Sequence, residues 1–278
     1  MRVDDSLSRE IVKLKNEFVR VYKGNSLLRE VLPMSNSKLL QIEDGSLEAM
    51  HQFTSFNPIY VRSYDSIISG TSCKIYEGDI NDYWLSSKKY DTSYQPFYPT
   101  WMLSAFALAQ GAKSLGFKEL VDVGSGDGRI AYCGKLLGMK SIGIEIDHHL
   151  VELQNSVSSA TGMMYTSINA DATGFDYSTL KLSRPMFFIS GLPELGEMLA
   201  NSVIKKILSL GVLGRTAGFN FMGSHVMKSR SRDQTSWGWG GIIAKYDLKV
   251  AGTVTLPTLW TTDQLIDTAY VYTMFRQA

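Results

Sequence analysis

The stretch that most constrains this chain is residues 120–147, LVDVGSGDGRIAYCGKLLGMKSIGIEID. Leu120, Val121, Asp122 and Val123 form a β-prone run that enters a turn with glycines at 124, 126 and 128. A helical pattern with Ile130, Leu136 and Leu137 follows, and then a second buried-strand run, Ser141 to Ile144, that ends on Glu145. Strand, glycine loop, helix and strand make a parallel βαβ unit whose loop and acid share one edge of the sheet. Glycines at alternate positions let a backbone pass close beneath a ligand, and the helix that starts near Asp127 or Gly128 is expected to point free N–H groups at it. A carboxylate ending the second strand is placed to accept from both hydroxyls of a ribose, which makes Glu145 the nucleoside-binding candidate.

Spacing and charge decide which nucleoside. The loop reads G-x-G-x-G, not the G-x-G-x-x-G of a dinucleotide site, and it carries Asp122 before it and Asp127 within it. Two acids repel a pyrophosphate and suit a cationic ligand, such as one with an α-amino group and a sulfonium. Asp122, Gly124, Gly126, Gly128 and Glu145 match D-x-G-x-G-x-G with a following acid, and here the chain resembles the class I S-adenosylmethionine-dependent methyltransferases. The resemblance implies an α/β fold with a seven-stranded Rossmann-like sheet, helices on both faces, and S-adenosyl-L-methionine as cofactor. It implies cofactor contacts from Ser125, Asp127 and Ile146 beside the matched residues, from Asp171 and Ala172 after the third core strand, and from Ser190 and Leu192 after the fourth.

The chain has 278 residues, 44% hydrophobic and 20% charged, which fits a folded protein of one large domain with a smaller appendage. A net charge of +1 gives no general drive toward nucleic acid or membrane. Two cysteines, Cys73 and Cys133, cannot build a disulfide framework or a cysteine zinc site, and Cys133 is expected to be a buried apolar residue. His148 and His149 are adjacent at a helix start and diverge, a poor metal site, so no metal is expected. No segment has the apolar length of a membrane span, and the amino terminus lacks a signal-peptide core, so a cytoplasmic protein is expected.

Along the chain, Leu7, Ile11, Leu14 and Phe18 predict an amphipathic helix over 6–23. A second helical piece is expected over 26–32 before Pro33, and a third within 37–51. Residues 57–94 are rich in tyrosine, with at most a short strand or hairpin around 73–76; these rings supply either a recognition face or, the reading we favour, packing against the main domain. The amino-terminal part, 1–94, is therefore read as a mostly helical accessory region, and 95–278 as the methyltransferase domain.

Thr100 is placed to N-cap the helix that follows it. Tyr98, Pro99 and Thr100 resemble the segment that covers the methionine end of the cofactor in archaeal and mitochondrial protein-lysine methyltransferases, although a plain helix-entering turn is an equal reading. The fourth core strand, 185–190, runs into Gly191, Leu192, Pro193 and Glu194 without the Asn/Asp-Pro-Pro-Tyr of enzymes that methylate planar amines. The lysine group tends to have Tyr-Leu there and Ser-His-x-Phe near the fifth strand, where this chain has Gly191-Leu192 and Gly218 to Phe221. Tyr98 and Glu194 are the catalytic candidates. Residues 228–236 read as a basic mobile loop, followed by an aromatic, glycine-hinged surface at 237–241. Two closing strands are expected over 245–256 and 269–275. The acceptor favoured is a protein lysine; RNA is the alternative, and a non-catalytic cofactor-binding scaffold the second.

Overall fold

The computed structural model describes residues 3, 5–25, 28–36, 40–79, 99–189, 193–222, 239–258 and 267–276, with backbone alone at 193–195. Its centre is a seven-stranded sheet in the order β6-β5-β4-β7-β8-β10-β9. The strands are β4 (Glu119–Val123), β5 (Lys140–Glu145), β6 (Thr166–Asn169), β7 (Pro185–Ile189), β8 (Gly218–Met222), β9 (Leu248–Leu256) and β10 (Thr268–Phe275). β4 pairs in parallel with β5 and β7, and β10 runs antiparallel to both of its neighbours. The chain walks outward from β4 to β6 and returns to β7 on the other side of β4, so β4 and β7 flank the switch point where an open α/β sheet leaves a crevice at its carboxyl edge. This is the expected seven-stranded Rossmann-like arrangement, including the closing antiparallel hairpin.

Alternation along the strands sends side chains to two cores. Leu120, Met186, Phe188 and Tyr270 join one, with helices α3 (Met102–Ser114), α4 (Arg129–Leu136) and α5 (His148–Thr161). Val121, Val123, Phe187 and Phe219 join the other, with helices α6 (Pro193–Leu208), α7 (Leu213–Thr216) and α8 (Trp239–Lys245). A short 3-10 turn at Tyr177–Leu180 also packs there.

The amino-terminal region contains α1 (Ser6–Val21), β1 (Leu28–Pro33), α2 (Asp44–Phe56) and a hairpin of β2 (Tyr60–Ile68) and β3 (Thr71–Gly78). Its three-stranded antiparallel sheet has the order β1-β3-β2. The helix expected over 26–32 is therefore a strand, and the extension adds this sheet to its helices. Leu28, Val31 and Leu32 mimic a helical stripe because β1 is buried along its whole length, which removes the alternation that marks a strand. Pro33 is tolerated because β1 is an edge strand. Ile11, Leu14 and Phe18 of α1, Val31 of β1, and Met50 and Phe53 of α2 lie in the same core as α3 and α4.

Candidate active site

The glycine loop joins β4 to α4 at the carboxyl edge, with φ of +73° at Gly124, +56° at Gly126 and +81° at Gly128. Gly128 also lies so close to Tyr165 and Gln154 that any side chain would overlap them. Above Gly124 a Cβ would meet nothing within 4 Å. The expected free N–H groups are absent at five positions. Gly124 and Ser125 donate to the Ile144 carbonyl, Gly126 to Glu145, Gly128 to the Ser125 carbonyl and Arg129 to Asp127. These five amides are spent on Ile144, Glu145, Ser125 and Asp127, and they fix the shape of the loop.

Two of the predicted acids have distinct states. Glu145 ends β5, and its carboxylate accepts from Gly126 N at 2.7 Å, Ile146 N at 2.9 Å and Asp147 N at 3.0 Å. Burial raises its pKa against those three backbone donors. Among the described residues Gly126 alone bonds Oε2, so that oxygen keeps acceptor capacity. Asp122 is 2% exposed, and its Oδ1 has no hydrogen-bond partner among the described residues. Burial, then the charges of Glu145 and Asp127, push its pKa well above the ordinary carboxylate range. A buried carboxyl oxygen without a partner is costly, and a nearby positive charge or hydrogen-bond donor would offset that cost. Asp122, Phe188, Asn220 and Tyr272 are register partners across β4, β7, β8 and β10. They share one face, and Asn220 Nδ2 is also buried without a hydrogen-bond partner among the described residues.

Asp127 is fully buried, and its carboxylate is engaged within the protein. It holds Arg129 through Nε at 2.9 Å and Nη2 at 2.5 Å, and it accepts from Asn57 Nδ2 at 2.9 Å. Ser125 is buried and takes Gln154 Nε2 of α5 at 2.9 Å, while the same amide donates to Gly126 O at 2.8 Å. Ile146 is half exposed beyond Glu145. Asp171 is exposed, and its Oδ1 accepts from Thr173 N at 2.8 Å and Thr173 Oγ1 at 2.7 Å; Ala172 beside it is buried.

The Thr100 hydroxyl points at the closing hairpin, within 3.0 Å of Tyr270 Oη and 3.3 Å of Pro257 O. It does not cap α3. Trp101 holds the N-cap position without a side-chain bond, and Glu30 of β1 accepts from Met102 N at 2.8 Å instead. Tyr98, Ser190, Gly191, Leu192 and Trp237, the basic loop at 228–236 and the rings at 83, 84, 90 and 94 lie outside the described residues, as does the Glu194 side chain. Trp239 corrects the aromatic surface expected at 237–241: it is buried, stacks on Phe221 at 4.8 Å and donates Nε1 to Met222 O at 2.5 Å. Cys133 is buried as expected, and burial raises its thiol pKa strongly. His148 and His149 are exposed beside Glu152, and among the described residues no group of three metal-ligating side chains converges.

Arg129, Glu30, Asn57 and Gln154 carry site geometry that sequence patterns do not mark. One signal was available for Arg129. A cation in the first turn of a helix opposes the helix dipole, so its presence there implies a nearby acid.

No family model matches this sequence, and no curated protein matches it. Solved structures do. The chain is similar to a Pyrococcus abyssi tRNA (uracil-54, C5)-methyltransferase in complex with S-adenosyl-L-homocysteine, at 12% identity and a TM-score of 0.47 over 64% of this chain and 39% of that one. It is similar to a putative RNA methyltransferase from Pyrococcus horikoshii, at 15% identity and 0.47 over 70% and 95%. A third likeness, to Pyrococcus horikoshii TYW2 in complex with MeSAdo, has 13% identity and 0.47 over 77% and 72%. At such identities and scores these likenesses carry no argument about ligand or activity. The strand order and loop of this chain stand on their own.

Proposed function

We propose that this chain is an S-adenosyl-L-methionine-dependent methyltransferase. The observation that carries the reading is the buried Asp122 carboxyl, whose Oδ1 has no hydrogen-bond partner among the described residues, at the foot of a positive-φ glycine loop at the switch point, with Glu145 ending the next strand. The residues fit that cofactor: Asp122 offers a carboxyl oxygen to a cationic group, Glu145 Oε2 a free acceptor site to a ribose hydroxyl, and Gly124 open space. When bound, the cofactor supplies a methyl group activated on a sulfonium.

The chain's own tasks are orientation and exclusion of water. Ser125 and Gln154 lock the loop, and Glu145 fixes Gly126. Tyr98, Thr100, Ile146, Asp171, Ala172, Ser190 and Leu192 complete the cofactor set that the sequence resemblance implies. For the acceptor we favour a protein lysine, on the Tyr98-Pro99-Thr100 segment and the missing Asn/Asp-Pro-Pro-Tyr. A lysine amine with an ordinary pKa of about 10.4 must shed its proton, and burial beside a cation lowers that value. Glu194 is the candidate to orient it.

The test is transfer of radiolabelled methyl into a cell lysate, followed by separate ribonuclease and protease treatment. Label lost to protease supports the lysine reading, and label lost to ribonuclease supports RNA. Cofactor binding without transfer leaves a scaffold.

A further inference from the structure

The amino-terminal region meets the glycine loop through a buried charge cluster that the proposed reaction does not use directly. All five N–H groups of the Arg129 guanidinium have acceptors: Nε and one Nη2 N–H on Asp127, the other on Tyr60 Oη at 3.1 Å, and the two of Nη1 on Glu30 at 2.5 Å and the Thr100 carbonyl. The acceptors come from four separate pieces of chain: the loop itself, β1, the start of β2, and the residues that lead into α3. Glu30 is itself tripled, since it also accepts from Tyr60 Oη at 2.9 Å and from Met102 N at 2.8 Å. Asn57, at the end of α2, donates to the Asp127 oxygen that Arg129 Nη2 also holds.

Neighbouring contacts seal this cluster. Tyr132 of α4 donates to Ala49 O at 2.9 Å, and Phe53 packs on Tyr132 at 4.8 Å. Glu30, Asp127, Arg129 and Asn57 are all buried. A buried ion cluster stabilises little compared with apolar packing of the same volume, but it fixes one geometry, because moving any member strands a buried charge. Ordinary docking of an accessory region needs only the apolar contacts already present in α1 and α2. The charges must therefore account for position and not for adhesion.

We propose that Glu30, Asn57 and Tyr60 are positioning residues of the donor seat, acting through Arg129 and Asp127 to hold the glycine loop and the segment entering α3 in one fixed relation. The amino-terminal sheet is then a working part of the seat. This inference rests on the methyltransferase reading for the identity of the ligand, and on geometry for the coupling.

The test uses the full chain with Asn57→Ala, Asp127→Asn and the double variant, supported by Tyr60→Phe in case a carboxylate change impairs folding. Amide hydrogen exchange over residues 124–130 is read in the free protein, and S-adenosyl-L-homocysteine affinity by calorimetry. We expect Asn57→Ala to raise exchange in the loop and not in β8, and to weaken binding by up to about tenfold, the full worth of one hydrogen bond to a charged group being the ceiling for an effect that acts through the loop. In the Asp127→Asn background the same change should cost less, because the Asn57 amide then meets a neutral amide oxygen in place of a carboxylate. A lower melting temperature with unchanged loop exchange, or equal losses in both backgrounds, overturns the proposal. Should the wild-type chain bind no S-adenosyl-L-homocysteine, the functional reading falls, while the exchange cycle still decides whether these residues position the loop.

Discussion

On one face of the central sheet Phe187, Phe219, Phe221 and Trp239 stack in sequence, with centroids 5.7, 6.2 and 4.8 Å apart, and Tyr177 and Phe275 meet them edge-on. On the opposite face Arg129, Asp127 and Glu30 sit among apolar side chains, with a second buried pair, Lys15 of α1 and Asp267 before β10, at 2.8 Å. The aromatic face is built to bury area. The other buries charge, and it is the one that carries Asp122 and the amino-terminal region. Aromatic packing stabilises the sheet without fixing the position of any one polar group, whereas a charged interior specifies positions, because moving any member strands a buried charge.

The largest test of that contrast is removal of residues 1–94. Ile11, Leu14, Phe18, Val31, Met50 and Phe53 share a core with α3 and α4, so the remaining chain should aggregate or lose its cooperative melting transition. A truncated chain that is soluble and melts at the full-length temperature would show the polar face to be self-sufficient.

Point substitutions sharpen it further. Arg129→Met leaves Glu30 and Asp127 buried without their shared cation and should cost about 3–5 kcal/mol in denaturant unfolding, with loss of donor affinity in the folded fraction. Phe219→Ala should cost a similar 3–5 kcal/mol, yet leave the affinity of the folded fraction unchanged. Equal affinity losses in the two variants would erase the distinction between the faces.

Asp122→Asn separates stability from function. Burial raises the Asp122 pKa in the folded chain above its ordinary 3.8, so the folded state holds this proton more tightly than the unfolded. Its contribution is fully present below the unfolded value and is lost as pH rises through the raised one. The asparagine variant, neutral throughout, should melt higher than wild type at alkaline pH and converge with it toward pH 4 or so. Donor affinity should fall in the same variant. Trp239→Phe, which removes one bond to Met222 O and keeps the stack, should cost only about 1 kcal/mol.

The core βαβ unit was legible because each of its features is local: β-prone run, spaced glycines, helix stripe and a terminal acid lie within residues 120–147. The closing hairpin was legible for the same reason. What escaped is non-local. Glu30 lies 99 residues from Arg129, and Asn57 lies 70 from Asp127, so no window of sequence pairs them. β1 escaped because burial on both faces hides the alternation. The loop amides were expected to be free because helix ends usually leave them so; here Ile144, Ser125, Asp127 and Glu145 had already taken five. Trp239 read as surface because its glycine neighbours suggest a hinge, whereas it packs under β8.

The central claim is that Asp122, the glycine loop and Glu145 form a seat for a cationic nucleoside donor. Calorimetric titration of the full chain with S-adenosyl-L-methionine and S-adenosyl-L-homocysteine, beside Glu145→Ala, tests it most directly. The account predicts saturable binding that Glu145→Ala weakens by roughly ten- to a hundredfold, the range for losing a hydrogen bond to a charged group. Binding of a nicotinamide dinucleotide in place of either ligand, or equal affinities in wild type and Glu145→Ala, would contradict it.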